Sequence, residues 1–377
     1  MRVPYDALEI NNFDRMKYID EYRDKKLVDQ LLNQIWEVSK KPVRFMEVCG
    51  GHTMAIRKFG IPALLPPTIQ LLSGPGCPVC VTGKSYIDKA IKLSNEKDVI
   101  ITTYGDLMRV PGTGSTLEKE RANGADIKMV YSPLDTLEIA KQNPTKKVVF
   151  LGIGFETTSP ATAVTVIKAE NEKLDNFFLL GAHKIMPPAM EMLIDEEVQL
   201  NGYICPGHVS TITGSRIYSR IVENFNLGCV IIGFEPVDLL QGILMLINQV
   251  ETNKAKVEIQ YKRAVKPEGN SKALSFLDKV FELKNDWWRG LGVVPQSGFK
   301  LKKEYEAFDA ELHFDLIIAE PKEEKGCICG QILKGLKLPT DCKLFKKVCS
   351  PEYPVGACMV SSEGACQAYF RYECVES

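Results

Sequence analysis

Val43-Arg44-Phe45-Met46-Glu47-Val48 runs straight into Cys49-Gly50-Gly51-His52-Thr53, and this junction decides the fold. Four of the first six residues are apolar, and the run stops at a pair of glycines. Upstream, Leu27, Val28, Leu31, Leu32, Ile35, Trp36 and Val38 recur with helical spacing within a charged stretch over 14–39. At Pro42 that period gives way to a short apolar run, the pattern of a buried parallel strand. The same pattern returns at 99–103, 148–153, 177–180, 203–205 and 229–232, with helical stretches between. The expectation is an α/β fold of parallel sheets. Two sheet domains are expected at 43–145 and 146–240. A smaller unit built on cysteines is expected from 1–42 together with 241–377. A helix is predicted over 237–250, an alternating strand at 257–261 and a turn-rich loop at 266–270.

Motifs follow the strand ends. Gly152-Ile153-Gly154-Phe155-Glu156-Thr157-Thr158 closes one run, Pro206-Gly207-His208-Val209-Ser210 another, and Gly233-Phe234-Glu235-Pro236 a third. Open parallel sheets bind ligands beyond the carboxyl ends of their strands, so these turns are the candidate site.

Composition narrows the function classes. The 377 residues carry 47 basic and 48 acidic side chains, a net charge of −1, which offers no field for nucleic acid or anionic lipid to follow. No apolar run approaches the ~18–20 residues of a membrane span. The start, Met1-Arg2-Val3-Pro4-Tyr5-Asp6, lacks the apolar core of a signal peptide. The expectation is a soluble, cytoplasmic, multidomain protein with no membrane or nucleic-acid partner. In a reducing compartment its 12 cysteines point to metal or redox chemistry rather than to a disulfide scaffold.

Seven of those cysteines fall in the last 51 residues. Zinc sites favour paired knuckles, and the only close pair here is Cys327-Ile328-Cys329. Cys329, Cys342, Cys349 and Cys366 are widely and unevenly spaced between loop-forming residues, which suits an iron–sulfur cluster better than zinc. Cys327, Cys358 and Cys374 are read as bystanders, with Cys358 the nearest substitute. Gly74-Pro75-Gly76-Cys77-Pro78-Val79-Cys80 holds a C-x-x-C in a glycine-rich turn. It reads as a redox pair or iron contact ahead of half a zinc site. Cys49 has both a core reading and a chemical one. Gly50-Gly51 opens the backbone and His52 adds an imidazole, an arrangement suited to a soft metal or a nucleophilic thiol. His183 and His208 read as structural histidines, and His313 has no context. Glu156 reads equally as a crevice carboxylate or a helix cap, and Cys205 and Cys229 as core. Gly112-Thr113-Gly114-Ser115 lacks the lysine and spacing of a P-loop.

Taken in order, the Cys49, Cys77, Gly154 and Pro206 motifs, with Cys329-Gly330, Cys342, Cys349 and Met359-Val360-Ser361-Ser362-Glu363-Gly364-Ala365-Cys366, resemble the HypD-type [NiFe]-hydrogenase maturation proteins along nearly the whole chain. The resemblance implies a scaffold for assembling the Fe(CN)2CO group, rather than a conventional turnover enzyme. A HypC-like chaperone would share the iron and a HypE-like protein would donate cyanide as a thiocyanate. By position, Cys49 would hold the iron with His52 as neighbour, and Cys77 and Cys80 would be the redox-active pair beside it. Cys329, Cys342, Cys349 and Cys366 would hold a [4Fe-4S] cluster. The rival readings are a cluster-containing disulfide reductase and a zinc-stabilised binding module.

Overall fold

In the computed structural model, which describes residues 16–194, 198–319, 321 and 324–373, the chain leaves Pro42 as strand β1 (Val43–Glu47) and runs parallel to β2 (Ile69–Ser73). It then crosses to a second sheet and lays down β3 (Val99–Thr103), β4 (Ile127–Met129), β5 (Lys147–Gly154) and β6 (Phe177–His183). It returns with β7 (Gly202–Pro206), β8 (Gly228–Ile232) and β9 (Val257–Ile259). Sheet order is β2-β1-β7-β8-β9 in one sheet and β4-β3-β5-β6 in the other, and every pairing within both is parallel. The α/β architecture expected from the apolar runs is therefore present. The sheets nevertheless draw strands from both sides of residue 145: the first takes 43–73 and 202–259, the second 99–183.

A hairpin, β10 (Phe281–Trp288) and β11 (Gly292–Leu301), is antiparallel, with a bulge between Lys284 and Asp286. It is fixed to the end of β6, where Lys184 Nζ lies 2.7 Å from Asp286 Oδ2 and Ile185 N donates to Ser297 O at 2.8 Å. Trp288, the last residue of β10, is fully buried and stacks on Phe155 at 5.9 Å.

Asp24 caps the helix Lys25–Val38, its carboxylate accepting from the amides of Lys26 and Leu27. The apolar stripe of that helix, Val28, Leu31, Leu32, Ile35 and Val38, joins the core beneath the helix Pro236–Glu251. The expected packing of the N-terminal segment with the cysteine-rich tail is thus replaced by packing on the first sheet, because two wide apolar faces match there. The tail instead joins the core shared by both sheets, alongside Val48, Leu151, Tyr203 and Trp288. Cys374 and residues 14–15 of the expected helical stretch lie outside the described residues.

Candidate functional site

Each sheet has one place where the strand order reverses: between β1 and β7, and between β3 and β5. Beyond the carboxyl ends of those four strands lies a cavity of about 300 Å³. Cys49 follows β1, Tyr104 to Leu107 follow β3, Ile153 to Thr158 end and follow β5, and His208 follows β7. Gly76, Pro78 and Val79, after β2, complete one wall, and Glu363 from the tail closes another.

Cys49 is the N-cap of the helix Gly50–Lys58 and is nearly buried. Its motif is stitched to the next one: Gly50 N donates to Gly76 O at 2.8 Å, and Gly74 N donates to Glu47 O at 2.8 Å. A Cβ on Gly76 would stand 2.1 Å from Cys49 N, so only glycine permits this approach. Burial, then the nearby Glu363 carboxyl, pushes the Cys49 thiol up to about 12, while the amides of His52 and Gly51 pull the other way. At neutral pH the sulfur therefore keeps its proton.

Cys77 caps the short helix Pro78–Val81 and is joined to Cys80 as a disulfide, with a Cα–Cα separation of 5.2 Å. The helix that carries the disulfide is the one whose Pro78 and Val79 line the cavity. Arg289, at the hairpin turn, donates from Nε to Cys80 O and from Nη2 to Thr82 O, both at 3.0 Å. On the tail side, Cys80 Sγ lies 3.9 Å from Ala357 O, one residue before Cys358.

The tail thiols meet behind that pair. Cys327 Sγ is 3.3 Å from Cys329 Sγ. Cys358, fully buried, shares hydrogen bonds with Cys329 and Cys366, which hold its thiol below the usual range while that of Cys366 is raised. Cys349 accepts from Val355 N at 3.4 Å, and burial raises it. The Cys342 thiol lies 3.9 Å from Gly326 O. Among the described residues no three His, Cys, Asp or Glu side chains form a group that would hold a single metal ion.

A profile for the HypD family, described as the hydrogenase formation hypA family, matches residues 26–373. The chain belongs to the HypD family. It is 48% identical over 368 residues to hydrogenase maturation factor HypD2 of Bradyrhizobium diazoefficiens, covering 95% of this chain and 97% of that one. It is 45% identical over 368 residues to hydrogenase maturation factor HypD of Cupriavidus necator, with the same coverage. A putative hydrogenase expression/formation protein of Methanocaldococcus jannaschii shares 45% over 351 residues, covering 93% and 98% of the two chains.

In this HypD-family chain the expected residues divide. Cys49 lines the cavity, and the Cys77–Cys80 disulfide lies behind its wall. His52 does not line it: the ring is fully buried, with Nε2 3.1 and 3.0 Å from Ile232 O and Gly233 O. Burial lowers it to about 4. Phe234 is sandwiched between His52 and His208, with ring centroids 4.6 and 4.1 Å apart. His208, read as structural, therefore faces the cavity from the other side of that stack. His183 is buried with Nε2 3.2 Å from Thr162 Oγ1. Glu156 is also buried, and its Oε1 accepts from Met186 N at 2.9 Å. That bond caps the helix Met186–Leu193, while burial raises the carboxyl to about 7. Asp106 and Glu363 were missed as lining residues. The strand-end rule that found Cys49 also covers Asp106, three residues past β3. Glu363 arrives from 314 residues away, beyond any local pattern.

Proposed function

We propose that this HypD-family chain is a cytoplasmic scaffold in [NiFe]-hydrogenase maturation, on which the Fe(CN)2CO group is assembled. The iron is cargo, held by Cys49 together with a cysteine of a HypC-like chaperone. A HypE-like donor brings cyanide as a thiocyanate. The observation that carries this reading is the Cys49 thiol in a cavity at the switch points of both sheets, one wall of which is the helix holding Cys77 and Cys80. The names of the relatives, hydrogenase maturation factors, supply the biological context.

Thiolate is the appropriate ligand for soft, low-spin iron, so Cys49 must lose its proton as the metal binds. Glu363, itself a raised carboxyl lining the cavity, is the acceptor beside it. Burial lowers His208, which keeps its imidazole neutral at pH 7 and leaves it a polar contact for the cargo. Releasing cyanide from a thiocyanate requires two electrons. Reduced Cys77 and Cys80 supply them: dithiol plus R–S–CN gives disulfide, R–SH, a proton and cyanide on the iron.

The tail fits a [4Fe-4S] cluster. It gathers soft thiols on separate loops, and Gly356 leaves a cradle in which a Cβ would press to 2.6 and 2.8 Å on the Cys329 and Cys327 sulfurs. Cys329, Cys342, Cys349 and Cys366 would hold it, with Cys358 within reach of two of them. When bound, it would supply electrons that reopen the disulfide.

The test is anaerobic co-purification with the chaperone, followed by iron analysis and infrared spectroscopy of parent and Cys49→Ala. The parent is expected to show iron beyond the cluster and bands of cyanide and carbonyl. Cys49→Ala is expected to lose both while keeping the cluster absorbance. Iron in cluster amount only, with no such bands in the parent, identifies a disulfide reductase; zinc without colour identifies a binding module.

A further inference from the structure

The tail that gathers the cysteines also gathers positive charge. Lys334, Lys337, Lys343, Lys346 and Lys347 stand between residues 334 and 349 against a single acidic residue, Asp341, in a chain of net charge −1. We propose that the loop from Cys342 to Cys349 is the docking face for an acidic one-electron carrier protein, and the point where electrons enter the chain. The proposal rests on the cluster reading above.

Local geometry turns the lysines outward. The loop closes on itself, Phe345 N donating to Cys342 O and Cys349 N to Leu344 O, both at 3.0 Å. Phe345 is buried beneath it, whereas Lys343, Lys346 and Lys347 are exposed. Lys346 Nζ donates to Glu373 O at 3.3 Å. Lys343 and Lys347 make no ion pair among the described residues. The acidic groups nearby are engaged: Asp341 Oδ2 accepts from Leu338 N at 2.8 Å, and Glu352 hydrogen-bonds Ser350 close to Arg109 and Arg371. The field over the loop is positive.

Two further observations select a redox protein as the occupant. Cys342, next to Lys343, is half-buried, whereas Cys329, Cys349 and Cys366 are buried, so the expected ligand set comes nearest to solvent inside this loop. Val348 and Tyr353, 61% and 79% exposed, supply apolar contact: Val348 follows Lys347, and the turn that carries Tyr353 follows directly, Ser350 N donating to Tyr353 O. Transient electron-transfer encounters bury little surface and rely on steering charge, which a lysine loop with two exposed apolar side chains provides. Each encounter passes one electron. Two reduced carriers and two protons convert the Cys77–Cys80 disulfide into a dithiol and leave two oxidised carriers, so atoms and electrons balance.

Flavodoxin, an acidic flavin carrier, serves as the probe. Full-length protein purified anaerobically would be mixed with fully reduced flavodoxin, and flavin oxidation followed by stopped-flow absorbance. The second-order rate constant is expected to fall steeply with added salt. Lys343→Glu/Lys347→Glu is expected to lower it about 10–100-fold at low salt and to meet the parent near 1 M salt, where the Debye length is about 3 Å. Lys343→Gln/Lys347→Gln is expected to fall between them. Lys254→Glu/Lys262→Glu, an equal charge change outside the tail, is expected to stay near the parent rate. All are expected to keep the same dithionite-bleachable absorbance, the sign of an intact cluster; if the glutamate pair loses it, the glutamine pair decides. Equal carrier rates in the parent and the tail variants overturn the proposal, as does a cluster that dithionite bleaches and flavodoxin does not. Suppression of the parent rate by single-stranded RNA assigns the loop to nucleic acid and also overturns it. Parent without cluster absorbance overturns the cluster reading itself, and the docking face with it.

Discussion

Single residues at this site are defined by what burial does to their protons. Glu156 is buried, one oxygen accepts from Met186 N, and the other has no hydrogen-bond partner among the described residues. Its carboxyl is raised from 4.5 to about 7 by desolvation. Below pH 4.5 both folded and unfolded chains hold this proton, and the residue is neutral to stability. Between 4.5 and about 7 only the folded chain holds it, so stability falls by up to about 1.4 kcal/mol per pH unit. Above 7 the full loss, about 3 kcal/mol, persists. Glu156→Gln keeps the acceptor and removes the titration. Denaturant unfolding is therefore expected to show the variant gaining on the parent by about 2–3 kcal/mol between pH 5 and pH 8. Glu47, raised to about 8 by burial, acts in the same sense. His52 and His183, lowered to about 4 and about 3, lose stability as pH falls below 6.5. Comparing variant with parent at each pH cancels all three. A constant difference across the range would show that Glu156 does not hold its proton. Sequence reasoning located Glu156 without separating its two readings, because its partner, Met186 N, is 30 residues away.

Elements were legible where burial is continuous. The six strands expected from apolar runs are present as β1, β3, β5, β6, β7 and β8, since a parallel strand buried on both faces leaves a run that polar neighbours do not interrupt. The expected helix over 237–250 is the helix Pro236–Glu251, begun by proline after the Glu235 cap. The β10–β11 hairpin was not legible: Glu282, Leu283, Asn285 and Trp287 face solvent, so its run is mixed and charged. β2 is hidden between Pro66-Pro67 and Gly74-Pro75, where turn residues dominate the reading. Likewise, the partner of an amphipathic helix is not written in its own stripe, which is why the N-terminal helix was assigned to the tail. Ile35 tests the placement. It is fully buried beneath the helix Pro236–Glu251, so Ile35→Ala removes packed methyl groups and is expected to lower stability by about 3 kcal/mol. Alkylation rates at Cys327 and Cys342 are expected to stay at the parent values. A change there would place this helix against the thiols.

At the scale of the molecule, the site exists because distant segments close on it. The helix Ala365–Tyr372 lies along the helix Gly50–Lys58, and their contact sets Glu363 against Gly50, where a Cβ would meet the Glu363 Cβ at 2.4 Å. Arg57 fastens this contact. Its Nη2 donates to the Tyr369 hydroxyl at 2.5 Å, Nη1 donates to Glu373 Oε1 at 3.3 Å, and the guanidinium lies 3.9 Å over the Tyr369 ring. A nearly buried guanidinium that both stacks and hydrogen-bonds is worth about 2 kcal/mol. Arg57→Ala is expected to lose about that much in denaturant unfolding. Because Glu363 closes one wall of the cavity, loosening the tail also opens Cys49 to reagent. Iodoacetamide labelling of Cys49, followed by peptide mapping, is expected to run several-fold faster in Arg57→Ala than in the parent. Arg57→Lys keeps the charge without the planar stack and is expected to fall between them. Lower stability with unchanged Cys49 labelling would mean that the tail anchors the fold without guarding the cavity.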